Sequence, residues 1–214
     1  MPRALPKDDG EDKQIVLGLL NSVDDGATSQ RHIAAELGVA LGLVNAYLKR
    51  CMKKGFVKVR EAPSRRYAYY LTPHGFAEKS RLTVEYLSSS FSFFRRAKAD
   101  CAEVYAMAQS QNFKSLVLLG RSDLAEVAIL SAVESNVSIV AVVDQDGAAA
   151  QFVGKNVVAT FDDLAMPVDA IVVTDLRNAR GSFEQAVKRF GLHRVLAPKL
   201  LGLNAGPRQE PTDE

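Results

Sequence analysis

The 214-residue sequence predicts two unlike folded parts joined by a long helix: an α+β domain first, then a small α/β domain built on a parallel sheet. Three observations carry this expectation. Between residues 28 and 72, two helical patterns give way to two short strand-like runs around a basic loop. From 73 to about 109, a largely apolar position recurs every seven residues. From 115 onward, continuous apolar runs of strand length alternate with helical segments.

Taken in order, residues 1–11 are charged and Pro-containing and are expected to be disordered. A helix is predicted over 12–21, with Ile15, Val16, Leu19 and Leu20 on one face. Asp24-Asp25-Gly26 reads as a loop, and Thr28 or Ser29 caps a short helix that runs to Leu37. Gly38-Val39 makes a tight turn into a second helix over 40–54, which Gly55 stops. A strand over 56–61, a basic loop over 62–66 and a return strand over 67–71 follow. This is the element order of a winged helix-turn-helix, placed at 12–72.

Thr72 is suited to cap the next helix, with Pro73 at its first position, where a missing N–H costs nothing. The segment 73–112 reads as a connecting and dimerising helix. Leu87, Phe94, Cys101 and Ala108 recur by sevens, with Ser90, Ala97 and Val104 three further on. The dimer seam is therefore assigned to Leu87, Phe91, Phe94, Cys101 and Val104. Ser88-Ser89-Ser90 is expected to bend or break the helix.

Residues 113–203 form the α/β part, a small Rossmann-like domain. Strands are expected at 115–119, 137–143, near 157–159, at 170–173 and at 194–196, and helices at 123–134 and 182–190. The tail 204–214, rich in Gly, Pro and acids, is expected to be disordered.

Composition narrows the function classes. No apolar run approaches 18 residues, so no membrane span and no membrane partner are expected. The first residues lack the apolar region of a signal peptide. Cys51 and Cys101 are expected to be buried thiols in a reducing, cytoplasmic compartment. The net charge of +2 hides an asymmetry: residues 1–114 hold 18 Lys and Arg against 12 acids, and residues 115–214 hold 9 against 13. Residues 49–66 alone carry eight cations and one acid, Glu61, which points to a polyanion as partner of that half.

Helical spacing places Val44, Leu48, Cys51 and Met52 in the core, and Leu41, Gly42, Asn45, Ala46, Lys49 and Lys53 outward. Asn45 is the candidate base reader, since an amide pairs bidentately with adenine. Lys49, Arg50, Lys53 and Lys54 suit phosphates. Ser29, Gln30 and Arg31 open the preceding helix and suit a phosphate at its N-terminus. Arg65 and Arg66 at the loop tip suit a minor groove. Ala40-Leu41-Gly42-Leu43, where base-reading side chains are expected, holds no polar side chain.

In the α/β part, Leu118-Leu119-Gly120-Arg121-Ser122-Asp123-Leu124-Ala125 partly matches a dinucleotide fingerprint: Gly120 and Ala125 fit, while Ser122 replaces the middle glycine. Asp144 ends the second strand, 24 residues after Gly120, near the place of a ribose-binding acid. Any ligand is expected at the carboxyl ends of the strands, around Gly120, Arg121, Ser122, Asp144 and Thr174. His32, His74 and His193 are isolated, no metal spacing or nucleophile–base pair is legible, and no enzyme activity is expected.

The run Ser29-Gln30-Arg31…Ala35-Glu36-Leu37-Gly38-Val39…Val44-Asn45…Leu48-Lys49…Lys54-Gly55 resembles MarR-type winged-helix regulators. So does Tyr69-Tyr70-Leu71-Thr72-Pro73…Gly75…Glu78-Lys79…Arg81-Leu82-Thr83-Val84…Leu87, which is similar to small MarR-like regulators of bacterial exopolysaccharide gene clusters. The resemblance covers residues 12–90 and implies dimeric binding of double-stranded DNA. The chain departs from it at Ala40 and Leu43, where such proteins more often carry polar residues. Val140-Ala141-Val142-Val143-Asp144-Gln145-Asp146, with Gly154-Lys155 and Asp169-Ala170-Ile171-Val172-Val173-Thr174, resembles Rossmann-like N-terminal domains of sugar O-acyltransferases and polysaccharide-biosynthesis proteins. That implies a nucleotide or nucleotide sugar as ligand. The expected protein is a cytoplasmic, homodimeric transcriptional regulator whose α/β domain senses a small molecule or serves assembly. Two alternatives stay open: a Rex-like NAD(H) redox-sensing repressor, and an enzyme acting on a nucleotide-linked substrate with an accessory winged helix.

Overall fold

One apolar stripe per helix assembles the first part of the chain. The computed structural model describes residues 9–27, 29–62, 66–145 and 150–203. It divides into two compact units, Met1–Phe91 and Ser92–Glu214. In the first unit, helix α1 (Asp9–Asp24) buries Leu17, Leu19, Leu20 and Val23; it begins three residues before the predicted start, inside the stretch expected to be disordered. Helix α2 (Gln30–Leu37) buries Ile33, and helix α3 (Leu41–Lys53) buries Val44, Tyr47, Leu48 and Cys51. The expected core face of α3 is thus present, Met52 being half-buried and Tyr47 an addition.

Strands β1 (Val57–Ala62) and β2 (Arg66–Leu71) pair antiparallel from Val57 opposite Leu71 to Ala62 opposite Arg66. Helix α4 (Pro73–Ser110) begins where this ribbon ends. The Thr72 hydroxyl accepts the N–H of Gly75 at 3.0 Å and donates to the carbonyl of Gly55 at 2.6 Å. One side chain therefore caps α4 and ties it to the end of α3, and such a cap is worth about 1 kcal/mol. Gly75 lies so close to the preceding chain that a Cβ there would sit 2.0 Å from the carbonyl oxygen of Phe56.

Helix α4 runs unbroken through Ser88-Ser89-Ser90, contrary to expectation. Serine costs at most about 0.7 kcal/mol per residue in a helix, whereas one fully buried large apolar side chain contributes roughly 1.5–3 kcal/mol. Leu82 in the first unit and Val104 and Tyr105 in the second are all buried, so packing wins over local propensity. The boundary between the two units falls directly after Phe91, one residue past the serines.

The second unit holds a six-stranded sheet in the order β5-β6-β4-β3-β7-β8, from strands β3 (Ser115–Leu119), β4 (Ser138–Val143), β5 (Gln151–Phe152), β6 (Lys155–Val158), β7 (Ala170–Val173) and β8 (Val195–Leu196). All pairings are parallel except β5 with β6. The period of two sorts the strands into two cores. Leu116, Leu118, Val142, Ala170 and Val172 face the α4 residues after Ser92 and helix α5 (Asp123–Ala132). Val117, Leu119, Val143, Ile171 and Val173 face helix α6 (Ala179–Phe190). Helices on both faces explain why these strands read as continuous apolar runs.

Cys101 and Val104, assigned to a dimer seam, lie instead in the first of these cores, beside Ala97, Tyr105 and Ala108. A seven-residue recurrence looks the same whether the helix meets a second copy or its own sheet. The Tyr105 hydroxyl fixes this packing by donating to the Ala128 carbonyl of α5. Burial raises the thiol of Cys51 to about 11 and that of Cys101 to about 12. The expected strand near 157–159 is the second arm of a hairpin, β5–β6. No helix joins β4 to β6 among the described residues, and α6 begins three residues before its expected start. Residues 1–8 and 204–214, expected as disordered ends, lie outside the described residues.

At the amino ends of the strands, Asp169 gathers three donors: the N–H groups of Ser115 and Lys114, each at 2.8 Å, and the Ser115 hydroxyl at 2.9 Å. They hold its carboxyl below the ordinary aspartate value.

Two outcomes are expected. Gly75→Ala should destabilise the first unit by roughly 1–3 kcal/mol through overpacking against Phe56, measured by chemical denaturation. Because Asp169 is more acidic folded than unfolded, its stabilisation is complete above the ordinary aspartate value and is lost as pH falls through the lower folded value. Protection factors of the β3 amides, exchange rates referred to unstructured peptide at the same pH, should therefore fall in acid, and Asp169→Asn should lower them at neutral pH while removing that acid dependence.

Candidate nucleic-acid interface and strand-end crevice

The second helix of the helix-turn-helix, α3, presents its outward face as Leu41, Gly42, Asn45, Ala46, Lys49 and Lys53. All are exposed except Asn45, which is half-buried. Lys58 and Arg60 on β1 are exposed as well, and the Arg60 guanidinium stands 6.0 Å over the ring of Tyr70. Ser29 is the N-cap of α2, its hydroxyl accepting the N–H of His32 at 3.2 Å, and Arg31 beside it is exposed. Gln30 donates from its amide to the Tyr69 hydroxyl at 3.2 Å, which links α2 to the wing. Arg65 lies outside the described residues, as does the side chain of Arg66.

Arg50 behaves differently from the phosphate contact expected of it. Its guanidinium lies 3.2 Å from the Asp12 carboxylate on α1, and the Tyr47 hydroxyl donates to the same carboxylate. These bonds join α1 to α3 and turn Arg50 away from the row made by Lys49 and Lys53. The N-cap of α3, Ala40, offers no side-chain acceptor, so the first turn carries no polar side chain toward a groove. The outward face of α3 thus combines exposed Lys49 and Lys53 with the half-buried amide of Asn45 and the exposed side chain of Leu41.

In the second unit, the five expected ligand residues divide. Ser122 and Thr174 are used to join the carboxyl ends of β3 and β7. The Ser122 hydroxyl donates to the Thr174 carbonyl at 2.6 Å and accepts the N–H of Ala125 at 3.2 Å, capping α5. Thr174, fully buried, donates its hydroxyl to the Gly120 carbonyl at 2.6 Å and its N–H to the Leu119 carbonyl at 2.8 Å. Gly120 has φ +97°, and a Cβ there would lie 2.5 Å from Cα of Asp175. Its missing side chain makes room for the chain itself. The Ser122 side chain stands where the dinucleotide fingerprint has its middle glycine, the position at which a bare backbone would approach a pyrophosphate.

Asp144 is 6% exposed and paired with Arg121 Nε at 3.2 Å and with the Arg177 guanidinium at 3.9 Å. The loop after β7 supplies residues that the sequence reading missed: Asp175, Arg177 and Asn178, with Ser182 and Gln185 on α6. Together with Asp144 and Gln145 they line a crevice of about 320 Å³. Burial opposes ionisation of Asp175, but the Ser182 hydroxyl and the N–H groups of Asn178 and Arg177 outweigh it and hold the carboxyl below its ordinary value. Asn178 is the N-cap of α6, which was the signal that would have revealed this loop. Among the described residues no group of His, Cys, Asp and Glu is arranged to hold a metal ion. The His74 ring packs on Phe56 at 4.9 Å.

Residues 16–58 match the family described as winged helix-turn-helix DNA-binding, so the first unit carries a domain of that kind. No curated protein sequence matches the chain. Among solved structures, the PcaV transcriptional regulator from Streptomyces coelicolor, in complex with its natural ligand, aligns at 21% identity with a TM-score of 0.35; the match covers 37% of this chain and only 59% of that one. An O-methyltransferase of neocarzinostatin biosynthesis, in complex with S-adenosyl-L-homocysteine, aligns at 16% identity over 89% of this chain and 83% of that chain, with a TM-score of 0.40. Human N-acetylserotonin methyltransferase, in complex with SAM, aligns at 11% identity over 80% and 72%, with a TM-score of 0.28. None of these likenesses assigns a function.

The different placement of two neighbouring cations has a measurable outcome. Lys49→Ala should lower the slope of log affinity for duplex DNA against log salt by about one, while Arg50→Ala leaves the slope unchanged. Duplex titrations at several salt concentrations check both.

Proposed function

We propose that this protein is a homodimeric transcriptional regulator of the MarR-like kind that binds double-stranded DNA through the first unit. The observation that carries this reading is the concentration of exposed cations on α3 and β1 of a winged helix-turn-helix, among them Lys49, Lys53, Lys58 and Arg60. A phosphate backbone is the polyanion that such an arrangement suits.

A second copy is the partner that the apolar face of α4 suits best. Val84, Leu87 and Phe91 follow the 3–4 spacing of a helix seam and are 64%, 45% and 58% exposed; Phe94, from the expected seam, is exposed too. Apolar side chains in a row on a surface favour association, and a dimer engages two half-sites. Sparse base-reading chemistry at the start of α3 makes that doubling the main source of discrimination.

The second unit is read as Rossmann-like and sensory, with assembly as its other use. Its strand order, with β3 and β4 first in sequence at the centre and later strands added on both sides, supports this. A ligand there shifts the populations of states that hold the two half-site readers at different separations. Ser122 counts against the Rex-like alternative, since it breaks the glycine pattern and its hydroxyl is bonded to the Thr174 carbonyl. The regulated genes are read as polysaccharide-biosynthesis genes, from the sequence resemblance around residues 69–87. The site of action is read as cytoplasmic, in line with two buried thiols; no helix among the described residues is long and apolar enough to cross a membrane.

Leu87→Glu with Phe91→Glu should leave helicity unchanged and convert the dimer to a monomer in sedimentation velocity, with a lower melting temperature from the lost association and duplex affinity reduced at least tenfold. A variant that stays dimeric would overturn the assigned seam. Unchanged duplex binding by Lys49→Ala/Lys53→Ala would overturn the DNA-binding reading itself.

A further inference from the structure

The crevice at the carboxyl ends of β3, β4 and β7 has a chemistry of its own, apart from the dinucleotide pattern it departs from. Its volume of about 320 Å³ stands at the small end of the range for ligand sites, roughly 300–1,000 Å³. Its polar lining combines two carboxylates, Asp144 and Asp175, one guanidinium, Arg177, the Ser182 hydroxyl, and the side-chain amides of Gln145, Asn178 and Gln185. The apolar contribution is limited to Leu119 and Val143, which are strand residues buried at the base. Three consequences follow for an occupant. It finds no flat apolar slot of the kind that holds a nucleobase. It finds no excess of cations for a pyrophosphate, because Arg121 behind Asp144 and Arg177 at the rim balance the two acids in formal charge. It does find planar acceptors and donors close together, which is what adjacent hydroxyl groups on a rigid carbon frame require, each serving as donor and acceptor at once.

The Asp144 carboxylate is held in place by Arg121, and the Asp175 carboxylate by its own loop, so neither has to be organised when a ligand arrives. Arg177 stands at the rim, its side chain 68% exposed and its guanidinium 3.9 Å from Asp144, within reach of a hydroxyl in the crevice.

We infer that this crevice binds a compact polyhydroxylated ligand, a free sugar or cyclitol, through the carboxylate of Asp144, the guanidinium of Arg177 and the amides of Asn178 and Gln185. The inference rests on reading the second unit as the sensory half. It narrows the ligand from a nucleotide conjugate to the polyol alone.

Saturation-transfer NMR on the full chain tests it with D-glucose, D-galactose, D-ribose and myo-inositol as probes, set against ATP, NADH, UDP-glucose and inorganic phosphate. At least one free polyol should receive saturation from the protein, and its affinity should drop at least tenfold in Arg177→Ala and in Gln185→Ala. Both positions are exposed, so the melting temperature of these variants should match the parent, and Asp144→Asn gives a third, shape-preserving arm. Transfer to ATP, NADH or UDP-glucose with none to any free polyol would overturn the inference. So would silence across the panel, or polyol binding that the three variants leave untouched. Duplex affinity is measured in the same samples with and without the bound polyol. If the parent binds no duplex, the DNA-binding reading fails whatever the crevice does. A polyol that binds without altering duplex affinity supports the site and removes its sensory role.

Discussion

Helix α4 has to bury Leu82 in one core and Ala97, Cys101, Val104, Tyr105 and Ala108 in another, and each unit depends on its share of that burial. At roughly 1.5–3 kcal/mol for a fully buried large side chain, these contacts outweigh any local preference in the serine-rich stretch between them. The start of the helix is fixed just as firmly. Thr72 satisfies one of the first free N–H groups and reaches back to the end of α3, while Gly75 permits contact with the Phe56 carbonyl. Around Val84, Leu87 and Phe91 the helix keeps a row of large apolar side chains in solvent.

Hydrogen bonding decides the character of the second unit in a comparable way. Where a nucleotide-binding sheet leaves backbone groups open at the strand ends, the hydroxyls of Ser122 and Thr174 close them here. A serine in place of glycine therefore does more than obstruct a ligand. It caps α5, bonds to the neighbouring strand's loop and commits that part of the crevice to structure. What remains open lies toward Asp144 and the start of α6.

Elements whose signal is local were legible in the sequence. Strands β3 and β7 are apolar runs with clear ends at Gly120 and Thr174, and they stand where the pattern puts them. The face of α3 follows from spacing alone. Features that depend on remote partners were not legible. Nothing in the sequence says that Arg50 meets Asp12, 38 positions away, or that the recurrence through Cys101 and Val104 turns to the chain's own sheet. Strand β5, at two residues, is too short to show a period. The first turn of α6, Ala179-Arg180-Gly181, lacks large apolar residues, so the pattern gives no sign of a helix start beside Asp175, Arg177 and Asn178, although the cap at Asn178 was there to be seen.

The short hairpin at one side of the second sheet has a consequence for how these molecules meet in a crowded solution. Strand β5 is two residues long, and so is β8 at the opposite side. Each border thus exposes a ladder of only a couple of peptide groups, too little to template the addition of a foreign strand. Growth of this sheet by strand addition is disfavoured at both borders. Among the described residues of the second unit, self-association is thereby directed to helical surfaces, where contact can be finite and reversible.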